Sequence, residues 1–365
     1  MLAMLSSTVA SGVQAQRVVR ETAAQVKAAR VLTLTAQSRW CTSADANGCD
    51  FRSIDDVLLL PDGGIVASGA QGPMRRFAAD GMLTGPLGAK GKGPGEYGFI
   101  VQPQLVRDQV FWFDNTQMRV ASVTLANVPG RTTPAMLPQT TGMMYMVADT
   151  LVVLDVPASP DTGSMVSAQY RTVSGSGAPR VLATVRTPAR FLPGTNFTPM
   201  SLPFTPRVVA DVGANGAVAH SNGTSYNVDV FPVKSAAWKL ELPSVTRPVT
   251  QADKDSVINS TLKIFRAANL AALPQAARDR MVFSIRNFPP LNTIRVLRDG
   301  TVWIRPTTQA GEKTARWDVF SADGKRIGQA RLPLTARVRD GMRDWVMVVE
   351  LSEDDVPSVI KYTIK

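Results

Sequence analysis

The most constraining feature of this chain is a pair of words that recurs near both of its ends. Leu60-Pro61-Asp62-Gly63-Gly64-Ile65-Val66 and Leu297-Arg298-Asp299-Gly300-Thr301-Val302-Trp303 share the pattern Leu-x-Asp-Gly-x followed by two apolar or aromatic residues. Each is followed by a second shared word, Phe77-Ala78-Ala79-Asp80-Gly81 and Phe320-Ser321-Ala322-Asp323-Gly324. Glycine adopts positive φ without a steric penalty and aspartate tolerates it, so the Asp-Gly pairs predict two-residue hairpin turns. Each copy then encodes turn, strand, turn and strand, half of a four-stranded antiparallel unit. A unit that recurs at the two ends of a chain favours a closed, repetitive β array over a sandwich.

The rest of the chain fits that reading. Short runs such as Val110-Phe111-Trp112-Phe113, Leu151-Val152-Val153-Leu154 and Trp345-Val346-Met347-Val348-Val349 are bounded by Gly, Pro, Asp or Asn. Counting them predicts an all-β, six-bladed β-propeller with blades near residues 53–88, 99–139, 142–187, 205–247, 291–333 and 335–365. The last blade is short, so an N-terminal strand around Val31 to Thr35 is expected to complete it and close the ring, which removes an open sheet edge. One segment breaks the pattern: from Gln251 to Ile285, Val257, Ile258, Leu262, Phe265 and Leu270 recur at helical spacing. Thr250 stands as N-cap with Asp253 in a capping-box position, and Pro274 divides the segment in two. A helical hairpin inserted at about 250–287 is expected, within a single domain spanning 17–365.

Residues 1–16 read as the remnant of a signal peptide, ending in Val13-Gln14-Ala15-Gln16 with small residues where signal peptidase needs them. Cys41 and Cys49 flank a run of turn formers and are expected to form a disulfide, a bond that persists outside the reducing cytosol. A periplasmic or extracellular protein, peripheral to a membrane, follows. No apolar stretch is long enough to span a bilayer.

Gly88-Ala89-Lys90-Gly91-Lys92-Gly93-Pro94-Gly95-Glu96-Tyr97, followed by Pro103 and Val110-Phe111-Trp112-Phe113-Asp114-Asn115-Thr116-Gln117-Met118-Arg119-Val120, resembles one repeat of the NHL-type and bacterial six-bladed β-propeller families. The stretch from Arg316 through Ile364 also looks like the final blades of such exported proteins. The resemblance covers about a third of the chain. It implies a propeller whose members mostly bind or scaffold and usually lack an assigned reaction; fold is therefore better supported by it than function.

The residues themselves narrow the chemistry. The Gly-rich loop lacks the Gly-Lys-Ser/Thr ending and following helix of a phosphate cradle, so it reads as a structural link in which Gly93, Pro94, Gly95 and Glu96 shape the backbone, Glu96 accepting hydrogen bonds. Asp114 and Arg119 flank a hairpin tip and are expected to pair across it. The functional alternative makes Arg75, Arg76, Lys90, Lys92 and Arg119 a basic rim for an acidic partner. His220, the only histidine, has no Gly-x-Ser-x-Gly elbow to serve and reads as a hydrogen-bonded structural residue. A calcium-dependent, lactonase-like propeller hydrolase would need carboxylates converging on the central channel, for which Asp55, Asp56, Asp114, Asp155, Asp211 and Asp229 are the candidates. The excess of 40 Lys and Arg over 29 Asp and Glu gives a net charge of +11 without long basic runs or spaced aromatics, which argues against nucleic acid and for an acidic surface. The overall expectation is a binding scaffold without metal or cofactor, an accessory subunit with a protein partner.

Overall fold

The computed structural model describes residues 16–41, 49–51, 53–138, 141–157, 165–173, 180–188, 207–244, 246–265, 286–352 and 355–365, with the side chains of 260–265 outside the description. Six four-stranded antiparallel meanders follow one another, and the first strands of successive blades lie against one another around a central axis. Blade 1 runs from Asp56–Leu59 to Leu83–Pro86, blade 2 from Ile100–Val106 to Pro129–Pro134 and blade 3 from Thr141–Val147 to Val181–Pro188. Blade 4 runs from Val209–Val212 to Trp238–Glu241, blade 5 from Leu291–Val296 to Arg326–Pro333, and blade 6 begins at Arg337–Met342. The six blades fall where the turn spacing places them. Their second strands are almost wholly buried, as Val110–Phe113 and Val346–Val349 show, because both faces of each sheet pack against neighbouring blades.

The ring closes through its two ends. Leu34–Trp40 forms the fourth strand of blade 6, antiparallel to Pro357–Ile364, with Leu34 opposite Ile364 and Trp40 opposite Val359. The strand lies a few residues later than the expected 31–35, because the residues before it are engaged with other blades. Arg17–Arg20 adds a parallel fifth strand to the outer edge of blade 4. The short helix Ala23–Ala28 follows, closed by a capping box between Thr22 and Gln25, and buries Val26. Leu32 then bonds to the Gln329 carbonyl of blade 5 at 2.7 Å. The N-terminal segment thus straps blades 4, 5 and 6 together before it closes the ring. Under the strap, buried Asp318 accepts from Tyr226 of blade 4 at 2.6 Å and from Arg326 at 2.8 Å, while Arg326 also grips Glu21 of the strap at 2.8 Å.

The Asp-Gly words make three-residue loops rather than the expected two-residue turns. In 60–64 the Gly63 N–H donates to Leu60 O at 3.1 Å, Leu60 N–H donates to Gly64 O at 2.9 Å, and Gly63 sits at φ +83°. The same pair of bonds closes 78–82, 213–217, 297–301 and 321–325. This is a type I turn followed by a left-handed residue, the geometry that keeps the twist of the flanking strands. The aspartate side chains brace these loops, Asp62 accepting from Gly64 N–H at 2.9 Å and Asp299 from Thr301 N–H at 3.0 Å. The first word joins strands one and two of a blade and the second joins strands three and four, so each copy reaches across three strands, not half a blade.

The second word has a role that its composition does not announce. Trp40, in the last strand of blade 6, donates its indole N–H to Ala78 O of blade 1 at 2.8 Å. Trp238, in the last strand of blade 4, does the same to Ala322 O of blade 5 at 2.9 Å. The recurring loop is thus a dock for a tryptophan of the preceding blade.

The insertion leaves blade 4 through a short clamp: Val249 N–H donates to Arg286 O and Phe288 N–H to Arg247 O, each at 2.8 Å. Gln251–Phe265 is helical, and Thr250 and Asp253 exchange the expected capping bonds at 2.9 and 3.2 Å. The second helix of the expected hairpin, with Leu270 and Pro274, lies outside the described residues, as does the leader at 1–15.

Cys41 and Cys49 form the expected disulfide, and both are buried. Replacing both by serine is expected to lower stability by about 2 to 3 kcal/mol in a denaturant titration, from the short loop that the bond closes. Trp238→Phe removes one indole N–H and strands the Ala322 carbonyl. A loss of roughly 1 to 3 kcal/mol is expected by the same measurement.

Candidate functional site

The first strands of the blades line a polar channel with a cavity of about 50 Å³. Around it, blades 4, 5, 6 and 1 contribute Asp211, Arg295, Arg339 and Asp56 in turn. The lining also holds Arg298 and Asp340.

Most of these charges are joints between blades. Asp211 accepts from Val296 N–H of blade 5 at 2.8 Å and lies 3.5 Å from Arg295. Asp340 accepts from Leu59 N–H of blade 1 at 3.1 Å, from its neighbour Gly341 N–H at 2.8 Å, and from Arg298 Nε at 2.6 Å. Gln102 does the same between blades 2 and 3, accepting from Met146 N–H at 3.4 Å. A side-chain oxygen on one inner strand thus anchors the backbone of the next.

Asp56 and Arg339 do not belong to this pattern. Among the described residues the Asp56 carboxylate makes no hydrogen bond or ion pair, and the Arg339 Nε is buried with no acceptor. Burial raises the Asp56 pKa to about 6, against the opposing pull of Arg339 and Arg295 and with a further push from Asp55 and Asp211. Burial and the adjacent Arg295 charge together lower Arg339 to about 10. The Arg295 Nε is also buried without an acceptor.

Beside the channel, between blades 3 and 4, Tyr145, Tyr170 and His220 form an aromatic layer. Tyr170 Oη and His220 Nδ1 are 2.9 Å apart, and the rings meet edge to face. Burial holds the imidazole neutral, with its pKa lowered to about 4, and pushes both tyrosines upward. His220 is therefore the hydrogen-bonded core residue that the sequence suggests; its described partner is a phenol, not a nucleophile held by a third group.

The other anticipated residues scatter. Of the six candidate carboxylates, Asp56 and Asp211 reach the channel. Asp55 accepts from Ser53 and Ala70 and faces Arg337 at 3.7 Å; Asp155 pairs with Arg171 at 2.7 Å; Asp229 accepts from Gln16 at 3.2 Å. Asp114 does not pair with Arg119 although the two face each other in register. It accepts from the N–H groups of Gly98 and Thr116 at 2.9 and 3.0 Å, closing its own turn. Arg119 turns the other way and donates to the carbonyls of Lys92, Gly93 and Glu96 at 3.0, 2.8 and 2.9 Å. The Gly-rich loop is a link between blades 1 and 2, as read from sequence: Gly95 sits at φ +72° and Glu96 accepts from Gly93 N–H at 2.6 Å. Exposed Pro94 lies at its tip.

Of the five basic-rim residues, Arg75, Arg76 and Arg119 have partners within the fold. Arg75 pairs with Asp50 and lies over Phe51, and Arg76 pairs with Asp62 at 2.6 Å. Lys90 and Lys92 stand exposed. Among the described residues no three His, Cys, Asp or Glu side chains are placed to hold a metal ion together. At the channel the carboxylates are faced by guanidinium groups instead. Sequence reasoning named Asp56 and Asp211 but missed Arg295 and Arg339, because the opposite charges lie in other blades, 84 residues apart for Asp211 and Arg295, and only the packing of blades brings them together.

No family model and no curated protein matches the sequence. Solved structures do match in shape. A protein of Bacteroides fragilis described as exported aligns over 95% of this chain and 99% of its own at 12% identity, with a TM-score of 0.50. A Bacteroides vulgatus member of a domain family of unknown function aligns over 92% and 98% at 10% identity, TM-score 0.49. Virginiamycin B lyase from Staphylococcus aureus aligns over 91% and 99% at 7% identity, TM-score 0.42. The first likeness supports the propeller fold at full length.

The charge balance of the channel gives a measurable sign. The folded-state pKa of Asp56 is raised from 3.8 to about 6, so ionising it weakens the fold: its contribution is complete below pH 3.8 and is lost as pH rises through 6. His220 acts in the opposite sense, because its value drops from 6.5 to about 4. Asp56→Asn removes the first effect alone. The variant is expected to exceed the wild type by roughly 1 to 3 kcal/mol above pH 6, with the gap closing toward acid, in urea titrations at a series of pH values.

Proposed function

We propose that the chain is a non-catalytic, exported propeller that binds a small ligand or a protein through its channel, and that it serves as an accessory subunit on the outer side of a membrane complex. The observation that carries the binding reading is the split among the channel charges: Asp211 and Asp340 are committed to blade joints, while Asp56 and Arg339 are held in the same wall without partners. A carboxylate that weakens its own fold at neutral pH is the kind of group retained for a ligand rather than for stability. Export is supported by the buried disulfide and the leader-like first residues, and is in keeping with the exported description of the Bacteroides fragilis neighbour. Among the described residues no helix is long and apolar enough to cross a membrane, and the +11 charge suits attachment to an acidic surface.

The test is native mass spectrometry of the tagged chain purified gently from fractionated cells of its own source. The chain is expected in the extracytoplasmic fraction, holding a partner or ligand that is released chemically unchanged. A cytoplasmic location, or conversion of the retained molecule on incubation, would overturn the reading.

A further inference from the structure

Resting on that binding reading, we infer that the channel receives a small zwitterion, a molecule of the amino-acid class, with its carboxylate on Arg339 and its ammonium group on Asp56. Three observations carry the assignment. First, the lining is balanced: Asp56, Asp211 and Asp340 face Arg295, Arg298 and Arg339. A phosphate or dicarboxylate attracted to Arg339 would meet the Asp56 and Asp211 carboxylates, and a diamine attracted to Asp56 would meet Arg339 and Arg295. Only a ligand that carries both signs satisfies both walls.

Second, the uncommitted groups are one of each sign. Arg298 and Asp340 bond to each other, and Arg295 lies beside Asp211. Asp55 and Arg337, behind them, also face each other. Asp56 and Arg339 lie on adjoining blades, 1 and 6, close enough to perturb one another's charge yet without an ion pair between them. Asp56 and Arg339 are each half-buried, the Arg339 Nε is closed off without an acceptor, and a ligand that spans the gap supplies an opposite charge to each. Third, the guanidinium N–H that faces no acceptor is directional. Arginine offers a planar fork that takes a carboxylate through two parallel bonds, whereas the aspartate accepts the several N–H groups of an ammonium.

The probes are ω-amino acids of increasing length, glycine, β-alanine, γ-aminobutyrate and 5-aminovalerate, titrated calorimetrically into the full chain at pH 7. Acetate and methylammonium serve as single-charge controls. At least one amino acid is expected to bind roughly tenfold or more tightly than either control, since each good charged contact contributes more than a factor of ten. Arg339→Gln is expected to abolish binding, and Asp56→Asn to leave the amino acid no better than acetate. If a variant fails to fold, the wild type alone decides the matter: affinity is expected to fall about tenfold from pH 7 to pH 5 as Asp56 takes up a proton in the presence of Arg339, Arg295, Asp55 and Asp211. Binding of acetate as tight as that of every amino acid, no binding by any of the series, or affinity unchanged at pH 5 would overturn the inference. If the series fails while the chain still holds a protein partner, the zwitterion assignment falls and the scaffold reading stands; conversion of a bound probe would remove the scaffold reading itself.

Discussion

The pairing of Leu34–Trp40 with Pro357–Ile364 joins a strand that precedes blade 1 to the last strand of the chain in one sheet, and the geometry of the channel follows from it. Until that sheet forms, blade 6 has an open edge and Arg339 has no fixed relation to Asp56. The closure is reinforced from outside. The segment before the closing strand bonds to blade 4, tucks Val26 into the core, and passes over blade 5 before it enters blade 6. A ring tied in this way resists opening at its one seam, where an exposed strand edge would otherwise recruit other chains.

Inside the ring, neighbouring blades are fastened at two radii by different chemistry. Near the rim, Trp40 and Trp238 each cap the outer loop of the following blade. Near the axis, Gln102, Asp211 and Asp340 each accept a backbone N–H from the next inner strand. Against these joints, Asp56 and Arg339 make no hydrogen bond or ion pair with each other or with another described residue, while Arg295, beside Asp211, also keeps a buried Nε without an acceptor.

Much of the architecture is legible in the sequence because it is local. The Asp-Gly words mark loops whose hydrogen bonds lie within five residues, the apolar runs between Gly and Pro mark second strands buried on both faces, and Thr250 with Asp253 marks a helix start. The turn type is not, because an Asp-Gly pair suits both two- and three-residue loops and the closing bond is made by a backbone carbonyl that any residue carries. The strap at 16–33 escapes sequence reading because its strand is only four residues long and its helix six, too short for any periodicity to show. The partners of the rim arginines are hidden for a related reason. Arg75, Arg76 and Arg119 look like surface charges in sequence, yet acidic or carbonyl partners from loops elsewhere in blades 1 and 2 take them up. The channel pair is half visible: Asp56 can be picked out among the acids, but nothing near it in sequence points to an arginine in blade 6.

The proposed ligand capture in the channel depends on an ionisable Asp56 that faces Arg339 without a bond to it. The most direct measurement is a pH titration of the Asp56 side-chain carbon by NMR, with aspartate labelled and Asp56→Asn used for assignment, in the wild type and in Arg339→Gln. A midpoint near 6 in the wild type, moving upward when the guanidinium is removed, is the predicted result. A midpoint near the ordinary 3.8, or one that ignores Arg339, would contradict it.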